Sequence, residues 1–459
     1  MKGTFTRTWI VLALAAGLGA YAYFVEREKP ASDDKKKEPL FSFDKAKVKS
    51  LSLEPAEGEA VRAVREAGSW KLLAPLEAPA DGTTVEAVVD ALNGLNLEEV
   101  VAEAPPALAD YGLETPKTRA SLELEGQEKP LVLLVGDKAP DNSGIYAKTD
   151  DKPRVFLIAS WLGGNFEKKA FDFRDRDLLH LKRDDVRSVE VTGPEGNYTL
   201  VKKGDGEWGF TAPVATRAAR WPVDSLLSAL EGLRFDAIVA EDAKDLKAYG
   251  LAKPGRSVSV TLGDGSQRRL EIGSETSDKK WHARDALKTT VAAIPPALVD
   301  DLKKGMNELR QKRLLDISSF EVEGFEAETD KGKQVYARTT TKGANDVEER
   351  KWARTAPDTK QLETNTIEDV LFKIGGVEAS AFVDQPKGPE VYGLDQPALR
   401  LSLRLAGGKG APFVEIGQKD DAAYARRNDD DAVLKLDVAK ADELIQAVAG
   451  LTSSADPGK

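Results

Sequence analysis

One six-residue pattern returns three times in this chain and restricts the folds open to it. It reads Tyr111-Gly112-Leu113-Glu114-Thr115-Pro116, then Tyr249-Gly250-Leu251-Ala252-Lys253-Pro254, then Tyr392-Gly393-Leu394-Asp395-Gln396-Pro397. Each copy runs into alternating apolar and polar residues, such as Ala120-Ser121-Leu122-Glu123-Leu124. The copies lie 138 and 143 residues apart. A signature recurring at domain-sized spacing implies three copies of one domain, not a short-period solenoid.

The pattern has a local physical reading. Residues 105–110 and 242–247, ahead of the first two copies, read as a short helical turn. The Gly then takes the left-handed conformation that ends a helix, which residues with a Cβ adopt only at a cost. The Leu folds back on the turn as in a Schellman cap, and the following Pro stops the helix from resuming. Residues 385–391, ahead of the third copy, are rich in Pro and Gly and give no clear helix signal. The expected role is therefore a buried Tyr and a cap, with ligand contact as the alternative.

Around each signature the same elements recur. In the first copy Val48–Leu53 alternates as a strand, and Ala60–Arg65 with Ser69–Leu73 forms a hairpin carrying Trp70. Asp81 caps a helix whose Val85, Val88, Val89, Leu92 and Leu95 form one apolar stripe. Strands are expected after the signature at 119–124, 131–135, 145–148 and 155–158, with Ser160 capping a last short helix. The second copy places Trp208 on the hairpin, Asp224 ahead of the helix, and a closing helix over 296–309. The third places Trp352 and then a helix through Ile367, Val370, Leu371 and Ile374. From Trp to the signature Tyr is 41, 41 and 40 residues, and from that Tyr to a later Gly (Gly136, Gly273, Gly417) is 25, 24 and 25. Strands on either side of a helix imply α+β units with mainly antiparallel sheets. The expected limits are 48–185, 186–315 and 316–451 for the repeats, with a frayed tail over 452–459. Residues 173–179 and 309–315 lie between repeats, and both end in Leu-Leu. They read as exposed charged turns followed by two core leucines. The repeats differ mainly at positions that read as exposed.

Ahead of the repeats lies the only long apolar run, residues 9–25, preceded by Lys2 and Arg7. Its seventeen residues would reach roughly 25 Å as a helix, near the short limit for a bilayer span. Positive charge ahead of it favours a cytoplasmic N-terminus over 1–8. Ala20-Tyr21-Ala22 could be a signal-peptide cleavage site. Tyr21, Tyr23, Phe24 and Val25 extend the run past that site and favour a retained signal-anchor. Both readings put most of the chain outside the cytoplasm, in the periplasm if a second membrane exists. Residues 26–47 are polar and charged and read as a mobile tether.

Several function classes lose ground on composition. Lys+Arg 66 against Asp+Glu 77 leaves a net charge of −11, which argues against a nucleic-acid surface. Cysteine is absent, which removes disulfides, thiolate nucleophiles and Cys-bound zinc. His180 and His282 fall at non-equivalent positions, so a shared metal site is not expected. Ser160, Ser225 and Ser274 sit in no G-x-S-x-G elbow. Gly204-Asp205-Gly206 and Gly263-Asp264-Gly265 read as hairpin turns and not phosphate loops. Asp429-Asp430-Asp431 reads as an exposed loop tip. Asp137, Asp141 and Asn142 could supply oxygens to Ca²⁺ but match no twelve-residue loop, so a polar turn is expected. No catalytic residue, cofactor or metal ligand is assigned.

The three signatures, the upstream Trp strands, the Val-Gly before a Tyr-Ala-Lys strand and the Leu-Leu junctions resemble a bacterial family of domains of unknown function. Its members often carry one N-terminal membrane helix and are commonly encoded beside gliding-motility-type ABC transporter components. The resemblance spans about residues 48–450. It implies an envelope protein attached to an ABC-type export or motility complex, and it brings no catalytic residues. His282 stands where that family usually has Tyr. The expected function is a non-catalytic, membrane-anchored accessory or scaffold with a protein partner. The alternatives are a binding module for a cell-wall polymer or secreted peptide, with Trp70, Trp208 and Trp352 as stacking residues, and an envelope hydrolase.

Overall fold

A computed structural model describes residues 39–451, apart from 205, 343–347 and 409–410. The fold is mostly-β α+β: three antiparallel nine-stranded sheets with flanking helices among the described residues. The first sheet contains β1 (Val48–Pro55), β2 (Val61–Glu66), β3 (Ser69–Ala74), β4 (Ala78–Pro79), β5 (Glu99–Ala102), β6 (Thr118–Leu124), β7 (Leu131–Lys138), β8 (Ile145–Thr149) and β9 (Val155–Ile158). Their order is β4-β3-β2-β1-β6-β7-β8-β9-β5, and the sheets over 186–294 and 322–436 repeat it. The short edge strands β4 and β5 were not expected from the sequence. The chain divides into two compact units between Arg176 and Asp177, and the second unit holds the second and third sheets.

In the first repeat one helix, α1 (Gly82–Asn93), links the two edges of the sheet. Asp81 accepts a hydrogen bond from the Thr84 N–H at 3.1 Å, and Val85, Val88, Val89 and Leu92 are buried. The matching helix of the second repeat, α2 (Arg220–Glu231), starts earlier than the sequence suggests. Asp224 lies inside it and pairs with Arg220 at 3.7 Å. Pro222 is tolerated there because first-turn N–H groups have no partner within the helix. The third repeat has α3 (Thr364–Gly376), which buries Ile367, Val370, Leu371 and Ile374, and ends in α4 (Val438–Gly450). The expected closing helix over 296–309 is two short ones, Ala297–Leu302 and Gly305–Leu309, broken where Gly305 takes φ +67°. Ser160 caps nothing; it begins a 3-10 turn, Ser160–Leu162.

Helices cover one face of each sheet, and the signature covers part of the other. The chain leaving β5 at the edge must return to β6 in the middle, so it crosses β9, β8 and β7. The signature is that crossing, a strap laid over the second face. In the third repeat Tyr392, Leu394 and Val433 form a small separate core with Val383 and Tyr424. The next residue, Leu434, points into the main core, as alternation along a strand requires.

Two glycines make the strap fit. The signature Gly112, Gly250 and Gly393 have φ +64°, +69° and +67°. The Leu113 N–H donates to Leu108 O and the Gly112 N–H to Ala109 O, both at 3.0 Å, the paired bonds of a Schellman cap; the second copy repeats both. The later glycine lies under the strap. A Cβ on Gly136, Gly273 or Gly417 would sit 2.2, 2.1 or 2.5 Å from the carbonyl oxygen of Tyr111, Tyr249 or Tyr392.

The N-terminal expectations divide at residue 39. The span over 9–25 lies outside the described residues, among which no helix is long and apolar enough to cross a membrane. The expected tether ends sooner than Lys47. Pro39 bridges to Asn96, the Leu40 N–H donates to Leu95 O at 2.8 Å, and Leu40, Phe41 and Phe43 pack on the first core. This lead segment recurs. Asp177 bridges to Arg234 and Leu178 donates to Leu233 O; Arg313 bridges to Glu378 and Leu314 donates to Val377 O. Each Leu-Leu pair therefore opens the repeat that follows, and Leu40-Phe41 is the first copy's version.

Candidate functional site at the junction of the second and third repeats

The most deeply buried cluster of charged side chains described here lies where the second repeat hands over to the third. Residues 309–314 are stitched by backbone hydrogen bonds to both. Ala219 donates to Leu309 O at 2.7 Å and Gln311 to Arg217 O at 3.1 Å, on the second repeat. Ala379 donates to Lys312 O at 2.7 Å, on the third. A segment bound this way presents alternate side chains inward.

Arg310 is the inward residue and is 1% exposed. Its Nη1 donates to Asp384 Oδ1 at 2.6 Å and its Nη2 to Thr216 Oγ1 at 3.3 Å, with Asp430 Oδ2 at 3.7 Å. The guanidinium lies 3.8 Å above the Phe382 ring. Thr216 Oγ1 donates to Asp430 Oδ2 at 2.6 Å. Arg427, also buried, donates to Asp430 Oδ2 at 2.8 Å and to the carbonyls of Gln311 and Arg313 at 3.2 and 2.9 Å. Buried charge is tolerated only when paired and hydrogen-bonded, and this cluster meets that condition with two arginines against Asp430 and Asp384. Arg310 Nε is left without a hydrogen bond. At the rim Arg217 donates to Asp429 at 2.7 Å. Burial works against its charge, but Asp429 and Glu207 more than offset this and raise its pKa above the ordinary arginine value.

This overturns two expectations. The segment ahead of Leu314-Leu315 is not an exposed charged turn, because Arg310 is enclosed by Asp384, Asp430 and Thr216. Asp430 is no loop tip either: it starts a strand and its side chain is fully buried. Two clefts flank the cluster. One, of about 580 Å³, is lined by Arg183, Lys202, Glu207, Trp208 and Arg217. The other, of about 750 Å³, is lined by Leu314, Leu315, Pro412, Arg427 and Asp429, with Glu207 and Arg217 of the second repeat completing its wall.

The residues singled out by sequence lie elsewhere. Tyr111 and Tyr249 are half-buried and Tyr392 buried, and each packs edge-on against a strand residue: Tyr146 at 5.1 Å, His282 at 5.3 Å and Tyr424 at 5.1 Å. Leu113, Leu251 and Leu394 are buried beneath the strap, and Pro116, Pro254 and Pro397 are half-buried at its end. Trp70, Trp208 and Trp352 are only 7%, 8% and 1% exposed, so they are core residues and cannot stack a polymer. Trp70 Nε1 donates to Glu86 at 2.7 Å. His282 Nδ1 lies 3.1 Å from Ser274 Oγ, an exposed pair outside both clefts. His180 lies near Asp177 at 3.8 Å. Asp137 pairs with Lys117 at 2.9 Å, and Asp141 accepts from Ser143 Oγ at 2.6 Å. Among the described residues no group of three His, Cys, Asp or Glu could hold a metal ion.

Sequence reasoning missed Thr216, Arg310, Asp384, Arg427 and Asp430. One signal was present: Arg174 and Arg310 stand at the same distance before their Leu-Leu pairs.

Neither the curated proteins nor the solved structures contain a match to the chain. A family model described as Domain of unknown function (DUF4340) matches twice, over residues 70–213 and 208–397, each match starting at the hairpin Trp of a repeat. Together these matches span most of the chain, which belongs to the DUF4340 family of domains of unknown function.

Proposed function

We propose that this protein is a membrane-anchored envelope scaffold that holds a partner protein of an ABC-type export or gliding-motility-like complex. The Arg310–Asp430–Arg427 cluster carries this reading. A scaffold must hold its modules in one arrangement, and a buried, hydrogen-bonded ionic cluster between modules penalises every other register. The apolar run over 9–25, with Lys2 and Arg7 ahead of it, supports an anchor with the repeats outside the cytoplasm. Polymer binding through the three tryptophans is not favoured, because those rings are buried. The exposed Ser274–His282 pair lends a hydrolase no support.

Crosslinking in intact cells, followed by purification of the tagged full-length chain from membranes, tests the reading. Transporter subunits are expected among the crosslinked products, and their absence overturns it. The anchor has its own test: a mature chain starting at Tyr23 would remove it.

A further inference from the structure

The cleft beside Leu314 and Leu315 has a counterpart in the first repeat. A cavity of about 730 Å³ there is lined by Leu40, Phe41, Pro130, Leu131, Asp151 and Lys152, among others. The correspondence follows from strand register. Ala147 pairs with Phe156 as Ala425 pairs with Leu434, and counting on from these pairs puts Thr149, Asp151 and Lys152 at the positions of Arg427, Asp429 and Asp430, although Asp430 opens a strand and Lys152 lies in the loop 150–154. Ala120 pairs with Leu133 as Leu401 pairs with Val414, which sets Pro130 and Leu131 where Ala411 and Pro412 stand.

The two faces differ in cover. In the third repeat the edge of the second supplies Glu207 and Arg217 to the wall, and Leu314 and Leu315 are buried. In the first repeat the described residues that line the cavity all belong to that repeat, and Leu40 and Phe41 remain half-exposed. The third repeat also shows how such a face is used: it receives a sheet edge, with Thr216 bonded to Asp430 and Arg217 to Asp429.

We propose that this face of the first repeat is a docking socket for the β-edge of a different protein, one presenting an acidic side chain opposite Lys152 and a basic one opposite Asp151. The charges follow from the template. Where Asp430 accepted from a hydroxyl, Lys152 calls for an acceptor; where Asp429 held Arg217, Asp151 again calls for a cation. A second copy of this chain does not meet that requirement. Trp352 and Arg354 take the places of Trp208 and Phe210, and Arg354 pairs with Lys360 as Phe210 pairs with Thr216. The third repeat's own edge would therefore bring Lys360 against Lys152 and Gln361 against Asp151. Like charges in contact reject a wrong partner, and here they also block the head-to-tail addition that would build filaments. The inference deepens the scaffold reading by giving the chemistry of the partner's edge.

The test needs no identified partner, so its failure leaves the crosslinking experiment above intact. The mass of the full-length protein in detergent micelles is measured by sedimentation across a concentration series. Wild type is expected to carry one copy. The double variant Lys360→Glu with Gln361→Arg gives the chain the edge the socket requires and should associate head to tail. Adding Lys152→Glu and Asp151→Arg to that variant should weaken association roughly tenfold or more. Far-UV circular dichroism confirms that each variant is folded. A folded double variant that stays single-copy overturns the proposal, as does association that the socket changes leave untouched. Wild type that already associates and dissociates on Lys152→Glu would make a second copy the occupant and equally overturn it.

Discussion

The lead faces of the first and third repeats share strand order and lead-segment bonding and part company at the turn after the eighth strand and in their side chains. In the third, Arg427 and Asp430 are buried and closed over by the neighbouring edge; in the first, Thr149 is buried but Asp151 and Lys152 stand in solvent. The difference teaches that one strand order can carry a covered ionic face in one copy and an open charged face in another, set by a few residues after the eighth strand. The duplicated architecture is thus compatible with unlike partners at successive copies.

The largest expected effect comes from breaking the filled socket. Asp430→Ala leaves Arg310 and Arg427 buried without their shared carboxylate and should cost about 3–5 kcal/mol. Denaturant unfolding of the full chain should show the loss in the second unit while the first unit's transition stays put. Equal shifts in both would break the comparison. Leu314→Ala should cost about 3 kcal/mol in the same unit, whereas Leu40→Ala, already half-exposed, should cost about 1 kcal/mol in the other. The gap between those two sharpens the contrast, since the positions match in backbone bonding and differ in cover.

The straps serve as an internal control because they do not differ between copies in this way. Gly136→Ala, Gly273→Ala and Gly417→Ala should each cost more than about 2 kcal/mol, with similar values, by driving a methyl group into a carbonyl oxygen. A copy that accepts Ala without loss would show that its strap does not press on the sheet. Alkaline pH should act through two buried tyrosines, Tyr198 of the second repeat and Tyr336 of the third, whose pKa values burial raises. Burial, partly offset by Arg354, pushes the Tyr336 pKa up to about 12. An unfolded tyrosine ionises near 10, so this contribution is complete below about pH 10 and is lost as pH rises towards 12, by roughly 2 kcal/mol. Alkaline unfolding of wild type against Tyr336→Phe measures it. The smallest effect belongs to the open socket: Lys152→Ala should change stability by less than about 0.5 kcal/mol.

The strap was legible because its constraints are local. A left-handed Gly and a helix-stopping Pro are written in adjacent residues, and the second Gly recurs at nearly constant distance. Helix α1 was legible for the same reason, through Asp81 and one apolar stripe. The edge strands β4 and β5 were not, since two or four residues carry no period and owe their form to pairing with β3 and β9. Helix α2 was read as starting too late because Asp224 looks like a cap while the true start, at Ala219, has no capping side chain. The lead segment of the first repeat was hidden by Phe41 in place of Leu and by the charged run ahead of it. Asp430 was hidden among its neighbours, because burial of one aspartate in three depends on Thr216, some two hundred residues away. The repeats also differ at buried sites, contrary to expectation: Thr149, Asp285 and Arg427 occupy one inward position with three different charges.

The lead segments carry a consequence for how copies of this domain can be cut and joined. Because Leu178 and Leu314 bond forward, a gene fragment beginning at the first long strand of a repeat would strip that repeat of its own apolar latch and leave the latch dangling from its predecessor. Breakpoints a few codons upstream, near Asp177 and Arg313, would keep each latch with the sheet it closes. Recombination or tandem duplication of a self-sufficient copy should therefore favour those positions.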